Sequence, residues 1–225
     1  MNIAAANGQE KALMVDLFDD FGSERVLAEG ALLLRAFALP HEAALLAGIE
    51  AVTNVSPFRN MMTPGGFTMS VAMSNCGAAG WVTDRKGYRY TAIDPQTGKP
   101  WPPMPDLFRA LAVEAAARAG HRGFEPDACL INRYEPGARM TLHQDKNERD
   151  YAEPIVSVSL GLPATFLFGG QERTGKTVKV PLVHGDVVVW GGPSRMNFHG
   201  VNTVADGVHP LIGRRRFNLT FRRAL

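Results

Sequence analysis

His143-Gln144-Asp145 sets an imidazole and a carboxylate two positions apart, and in extended chain such residues project to the same side. One nitrogen donor and one oxygen donor so placed suit a divalent metal. A distant second histidine would complete the 2-His-1-carboxylate facial triad, which leaves positions open on Fe(II) for oxygen chemistry. His209 precedes Pro210 in a Gly-rich stretch and reads as exposed. His184 opens His-Gly-Asp between two apolar runs and reads as a turn residue, whereas His199 sits between Phe198 and Gly200. The chemistry alone leaves His184 and His199 both open as the third ligand.

A second constellation lies near the end of the chain. In a strand covering Arg216-Phe217-Asn218-Leu219-Thr220-Phe221-Arg222, Arg216, Asn218, Thr220 and Arg222 share one face, and the three apolar residues share the other. Two guanidinium groups opposite a packed face suggest a wall that binds an anion; the plainer alternative is a solvated polar face on an edge strand. Asn132 and Tyr134 share a face in the same way. A charge count joins these groups. Two neutral imidazoles and one carboxylate leave Fe(II) with one positive charge, and a bound 2-oxo-dicarboxylate makes the site net negative. Arg forks suit bidentate carboxylate recognition and offset that charge.

These side chains need strands to hold them. Short runs broken by Gly and Pro predict strands at Phe67–Met73, Cys129–Tyr134, Ile155–Leu160, Thr165–Phe168, Val178–Val183, Val187–Trp190 and Phe217–Phe221. Glu135-Pro136-Gly137 predicts a type II turn, with Arg139–His143 returning as the second arm of a hairpin. Pro40 opens a helical pattern with Ala44, Leu45, Ile49 and Val52 on one face. A second helix is expected over Pro105–Ala119, with Leu107, Leu111 and Ala115 as its stripe and Gly120 as its stop. Many short strands after Ala128 favour a sandwich, jelly roll or barrel.

The 225 residues suffice for one self-sufficient core, and 45% apolar with 20% charged residues is an ordinary globular composition. Two cysteines make no disulfide framework and fit a reducing, cytoplasmic setting. No apolar run approaches a membrane span or a signal sequence. A net charge of +2 does not by itself announce nucleic acid.

Taken together, Asn132-Arg133-Tyr134, His143-Gln144-Asp145, His199 and Arg216 to Arg222 resemble the AlkB family of Fe(II)/2-oxoglutarate-dependent dioxygenases. The likeness extends to Thr63-Pro64-Gly65-Gly66, Met69 to Met73, Ile93-Asp94-Pro95-Gln96-Thr97, Pro154 to Pro163 and His184 to Gly192, and so spans residues 30–223. The resemblance implies a mainly β (α+β) fold: a double-stranded β-helix, or jelly-roll, core with flanking helices. One domain would run over residues 29–225, carrying a nucleotide-recognition lid at 62–92, after a loosely ordered leader over 1–28. It assigns Fe(II) to His143, Asp145 and His199 and leaves His184 structural. It gives 2-oxoglutarate to Asn132, Tyr134, Arg216, Asn218 and Arg222. The implied activity is repair of N-alkylated bases of the 1-methyladenine and 3-methylcytosine type in DNA, mainly single-stranded, with RNA as a further substrate in some members. O2 and 2-oxoglutarate become succinate and CO2, and the hydroxylated methyl group leaves as formaldehyde.

Such a substrate must leave its stack and lie between flat faces. The loop-rich segment Trp81 to Tyr90 offers Trp81, Tyr88 and Tyr90 as rings and Arg85 and Lys86 as phosphate-binding cations. The resemblance sets Trp81 against the metal-bound His143 and Arg173 beside the substrate; buried strand aromatics and a solvated hairpin tip are the plainer readings. At the position two after Asp145, bacterial members carry an acid, where this chain has Asn147. A weaker preference for cationic lesions is expected, unless Glu148 compensates. A monomer acting on alkylated nucleic acid away from membranes is the reading adopted. The alternatives are a related hydroxylase or demethylase of RNA, protein or a small molecule, and a non-catalytic jelly-roll metal-binding module.

Overall fold

The protein, here as a computed structural model, is described over residues 22–225. A long sheet contains, in spatial order, β1 (Glu24–Ala28), β2 (Ala31–Leu34), β12 (Val187–Trp190), β9 (Ile155–Gly161), β14 (Arg216–Arg222), β7 (Ala128–Tyr134), β4 (Thr68–Gly77) and β3 (Arg59–Met62). A four-stranded sheet contains β11 (Val178–Leu182), β10 (Ala164–Phe168), β13 (His199–Val201) and β8 (Met140–His143). From β7 onward the chain passes back and forth between the two sheets, which is the winding of a jelly roll. The strand pairs are antiparallel.

The alternation of each strand decides what it packs against. Phe217, Leu219 and Phe221 of β14 are buried beneath two helices, α1 (Glu42–Val55) and α2 (Asp106–Arg118). There they meet Leu45, Ile49 and Val52 of α1 and Phe108, Leu111 and Ala115 of α2, with Phe108 edge-on to Phe221. Ala44 is exposed rather than buried, because one step round the helix from Leu45 already turns a side chain off the apolar stripe. Between the sheets, Leu33, Ile155, Val188 and Trp190 pack against Phe166, Phe168, Val180 and Leu182.

Three expectations change. The turn at Glu135–Ala138 forms, with Gly137 at φ +91° and the Ala138 N–H donating to the Glu135 carbonyl at 2.9 Å. It does not close a hairpin. Both edges of β7 are taken by β14 and β4, so the chain crosses to the other sheet and β8 pairs with β13. The turn's composition sets the reversal but not the partner. Next, β14 is a central strand with all seven residues buried, which removes the solvated-edge reading of its polar face. Finally, the stretch expected as a leader contributes β1, paired with β2 and tied to α2 by an Arg118–Glu24 ion pair. The remainder of that stretch, 1–21, lies outside the described residues.

Candidate metal and substrate site

β8 and β13 lie side by side with His143 directly opposite His199, and their rings are 4.5 Å apart. Asp145 follows just beyond β8. Its two carboxylate oxygens lie 3.7 Å from His143 Nε2 and 3.7 Å from His199 Nε2 respectively. These donor atoms fall within 4.8 Å of one another. Each ring is oriented from behind: His143 Nδ1 lies 2.8 Å from the Thr141 carbonyl and His199 Nδ1 lies 3.0 Å from the Asn197 carbonyl. A carbonyl only accepts, so both Nδ1 atoms carry the hydrogen and both Nε2 lone pairs face Asp145. Burial and the neighbouring His143 ring hold His199 down to about 4, so it is neutral at physiological pH. Burial would push Asp145 up, but the Arg222 guanidinium at 2.6 Å holds it well below the usual carboxylate range. Two imidazole nitrogens and one carboxylate oxygen as donors fit a divalent cation such as Fe(II).

His184 is elsewhere, and both its ring nitrogens are used. Nδ1 accepts from the Gly161 N–H at 2.8 Å, and Nε2 donates to Glu42 at 2.9 Å. Of the two histidines left open, His199 is the one that lies beside His143 and Asp145.

A cavity of about 440 Å³ opens beside the three donors. Its wall carries the polar faces of β7 and β14: Asn132, Tyr134, Arg216, Asn218, Thr220 and Arg222. Asn218 is fully engaged, donating to Ser157 Oγ at 2.7 Å and accepting from Thr220 and Asn132. Arg216 is different. It is 1% exposed and donates to Ser159 Oγ and the Leu162 carbonyl, yet its Nε has no partner, and among the described residues it forms no ion pair. Burial pulls its guanidinium down to about 10, which still leaves it cationic. The Asn132 side-chain oxygen is also unpartnered, and burial pushes the Tyr134 phenol up to about 12, so it remains a donor. A buried cation without a counter-charge is costly unless an anion completes it. These residues therefore fit a dicarboxylate co-substrate.

Arg222 is already committed. Its Nε and Nη2 both donate to Asp145 Oδ2, at 2.9 and 2.6 Å, and Nε lies 3.3 Å from Glu148. Glu148 is buried between Arg222 and Arg195 and is not among the cavity-lining residues, so it does not compensate for Asn147. Its signal in the sequence was weak, because an acid in the charged run Asn-Glu-Arg-Asp reads as surface.

The segment Trp81–Tyr90 is a hairpin rather than a loop, formed by β5 (Gly80–Asp84) and β6 (Gly87–Thr91) outside both sheets. Gly80 lies against Trp101 with no room for a Cβ, which seats the base of the hairpin. Trp81, Tyr88 and Tyr90 share one face by register, and the Trp81 and Tyr88 rings stack at 5.7 Å. Both line the cavity mouth, as do Asn147 and Arg173. The Trp81 indole N–H donates to Asn147 Oδ1 at 3.0 Å. Arg85 sits at the exposed hairpin tip, away from the cavity lining. Of the segment 62–92, only this hairpin stands apart, because β3 and β4 belong to the long sheet.

Comparisons with known proteins accord with this arrangement. A family model described as "2OG-Fe(II) oxygenase superfamily" matches residues 30–222. "Alpha-ketoglutarate-dependent dioxygenase AlkB" of Escherichia coli (strain K12) is 56% identical over 212 residues, covering 94% of this chain and 98% of that protein. An "Alpha-ketoglutarate-dependent dioxygenase AlkB homolog" of Caulobacter vibrioides (strain NA1000 / CB15N) is 45% identical over 186 residues, covering 80% and 79%. The solved structure of OsALKBH1 superposes with a TM-score of 0.78 at 27% identity, over 89% of this chain and all of that one.

Proposed function

The chain belongs to the AlkB family within the 2OG-Fe(II) oxygenase superfamily, and from that premise we propose that it demethylates N-alkylated bases in DNA. It is a dioxygenase using Fe(II), 2-oxoglutarate and O2. One observation carries the substrate reading: a single cavity joins the three metal donors, the unpaired buried Arg216 and the stacked Trp81–Tyr88 pair at its mouth.

His143, Asp145 and His199 would hold the iron, which when bound supplies the oxidising chemistry for the methyl carbon. Arg216 would take the far carboxylate of 2-oxoglutarate, with Tyr134 and Asn132 as neutral partners, and Asn218 and Arg222 would line its other side. A base leaving its stack would lie between Trp81 and His143, with Tyr88 extending the platform and Asn147 holding the indole. Arg173 and, further out, Arg85 would meet phosphate. The mouth is walled by the β5–β6 hairpin together with Asn147 and Arg173, which suits a monomer that grips a few nucleotides of single strand. Among the described residues no helix is long and apolar enough to cross a membrane. Cys76 and Cys129 are buried and unpaired, which supports a reducing, cytoplasmic setting.

Formaldehyde release from an oligonucleotide carrying 3-methylcytosine tests this directly. Stoichiometric release that requires both Fe(II) and 2-oxoglutarate is expected. No release from iron-loaded protein would overturn the proposal, and co-substrate consumption without base repair would favour a different methylated target.

Asn147 tunes the lesion. A carboxylate there would still accept from Trp81 and would add attraction for a cationic methylated base at short range. Asn147→Asp is expected to raise the rate on 3-methylcytosine relative to neutral ethenoadenine several-fold. An unchanged ratio between the two lesions in competition assays would count against this role.

A further inference from the structure

The loop that follows β8 carries Asp145 without a strand ladder to hold it, and three of its anchors converge on Asp145 and Glu148. Arg195 donates to the Asp145 carbonyl at 2.8 Å and the Glu153 carbonyl at 3.0 Å, and pairs with Glu148 at 3.2 Å. Arg222 bridges Glu148 and the Asp145 carboxylate. The third anchor comes from the hairpin, where the Tyr90 hydroxyl donates to Glu148 Oε1 at 2.9 Å. Burial, the largest influence, pushes the Tyr90 phenol well up despite Arg222, so the hydroxyl keeps its proton and Glu148 is the acceptor. The carboxylate of Glu148 thus joins the hairpin that presents Trp81 and Tyr88 to the arginine that orients a metal donor.

We propose that Glu148 is a positioning residue that couples the base-stacking hairpin to the metal site through Tyr90 on one side and Arg222 on the other. The inference rests on the nucleic-acid reading given above and extends it. Seating a base against Trp81 fixes the hairpin, which fixes Tyr90 and so the share of Glu148 left to Arg222. The same chain runs backwards: drawing Asp145 onto a metal changes its hold on Arg222, and thereby on Glu148 and Tyr90. Coupling of this kind must be reciprocal, so either ligand reports it. Each member is buried or nearly so, where a lost partner is felt more strongly than in water.

Tyr90→Phe removes one hydroxyl and keeps the ring, leaving Glu148 on both arginines. The test uses the full-length protein with Co(II) as the metal and a labelled 3-methylcytosine oligonucleotide, with no turnover. Oligonucleotide affinity is measured with and without Co(II) in the wild type and in Tyr90→Phe. Direct interaction between metal and base is common to both proteins, so the difference isolates the link. The ratio of the two affinities is expected to differ about fivefold between wild type and variant, the lower end of ordinary coupling. The Co(II) absorption bands are expected to shift on oligonucleotide binding in the wild type and to shift less in the variant. Glu148→Gln should behave like Tyr90→Phe, and the latter stands as the test if the glutamine variant fails to fold. Equal ratios and equal band shifts in wild type and Tyr90→Phe would overturn the link alone. A wild type that binds no methylated oligonucleotide, with or without Co(II), would overturn the nucleic-acid reading and the link with it.

Discussion

His143→Ala is expected to lower metal affinity at least about 100-fold and to abolish formaldehyde release, since one of three donors is lost and second-sphere changes alone reach that range. Its partner His199 lies on the adjacent strand, so the remaining two donors keep their register and the fold is retained. Titration with Co(II) followed by absorption gives the affinity directly. His184→Ala is the matched control. It would leave the Gly161 N–H without its acceptor and Glu42 without its donor, at about 1–3 kcal/mol of stability, while metal affinity stays within twofold. If His184→Ala loses metal and His143→Ala keeps it, the donor set is misassigned.

Replacing Arg216 separates co-substrate from metal. Arg216→Met fills similar space without charge and is expected to weaken 2-oxoglutarate binding by about 2–4 kcal/mol, roughly 30- to 700-fold. Metal affinity should be unchanged, because no metal donor touches Arg216. Without co-substrate the variant should be as stable as the wild type or more so, since a buried, unpaired guanidinium is gone. Denaturant midpoints with and without 2-oxoglutarate read both effects. Arg222→Ala should instead weaken metal and co-substrate together, because it releases Asp145 and Glu148. Equal losses of metal affinity in the two arginine variants would defeat the assignment of different tasks to them.

Much of this was legible from residue order. Period-two alternation in β14 gave both the wall of the cavity and the face beneath the helices, because a strand buried on both sides must separate its polar and apolar residues. Helix α2 was bracketed to within a residue by Pro105 and Gly120. What stayed hidden depends on packing between distant segments. Arg195 in Pro193-Ser194-Arg195 resembles a surface turn, yet it is 2% exposed because Glu148 and two carbonyls enclose it. Local composition cannot report such a pairing across dozens of residues. The hairpin β5–β6 was hidden by its own glycines, which suggested a loop but instead allow the close seat against Trp101 and the turn at Gly87. Tyr90 was visible beside Tyr88, but its hydroxyl partner was not.

The crossing of the chain between sheets at Glu135–Ala138 has a kinetic consequence. His143 and His199 are separated along the chain by the whole of β9 to β12, which lie in both layers, and Arg222 reaches Asp145 from the last strand, seated between β7 and β9. Contacts so distant along the chain impose a large loop-closure penalty before they return any stabilisation, which is the regime of slow, millisecond-to-second folding. The donor set is therefore expected to be completed late in folding, after the transition state. Metal should accordingly leave the refolding rate nearly untouched and act on the reverse step, lengthening the lifetime of the folded chain.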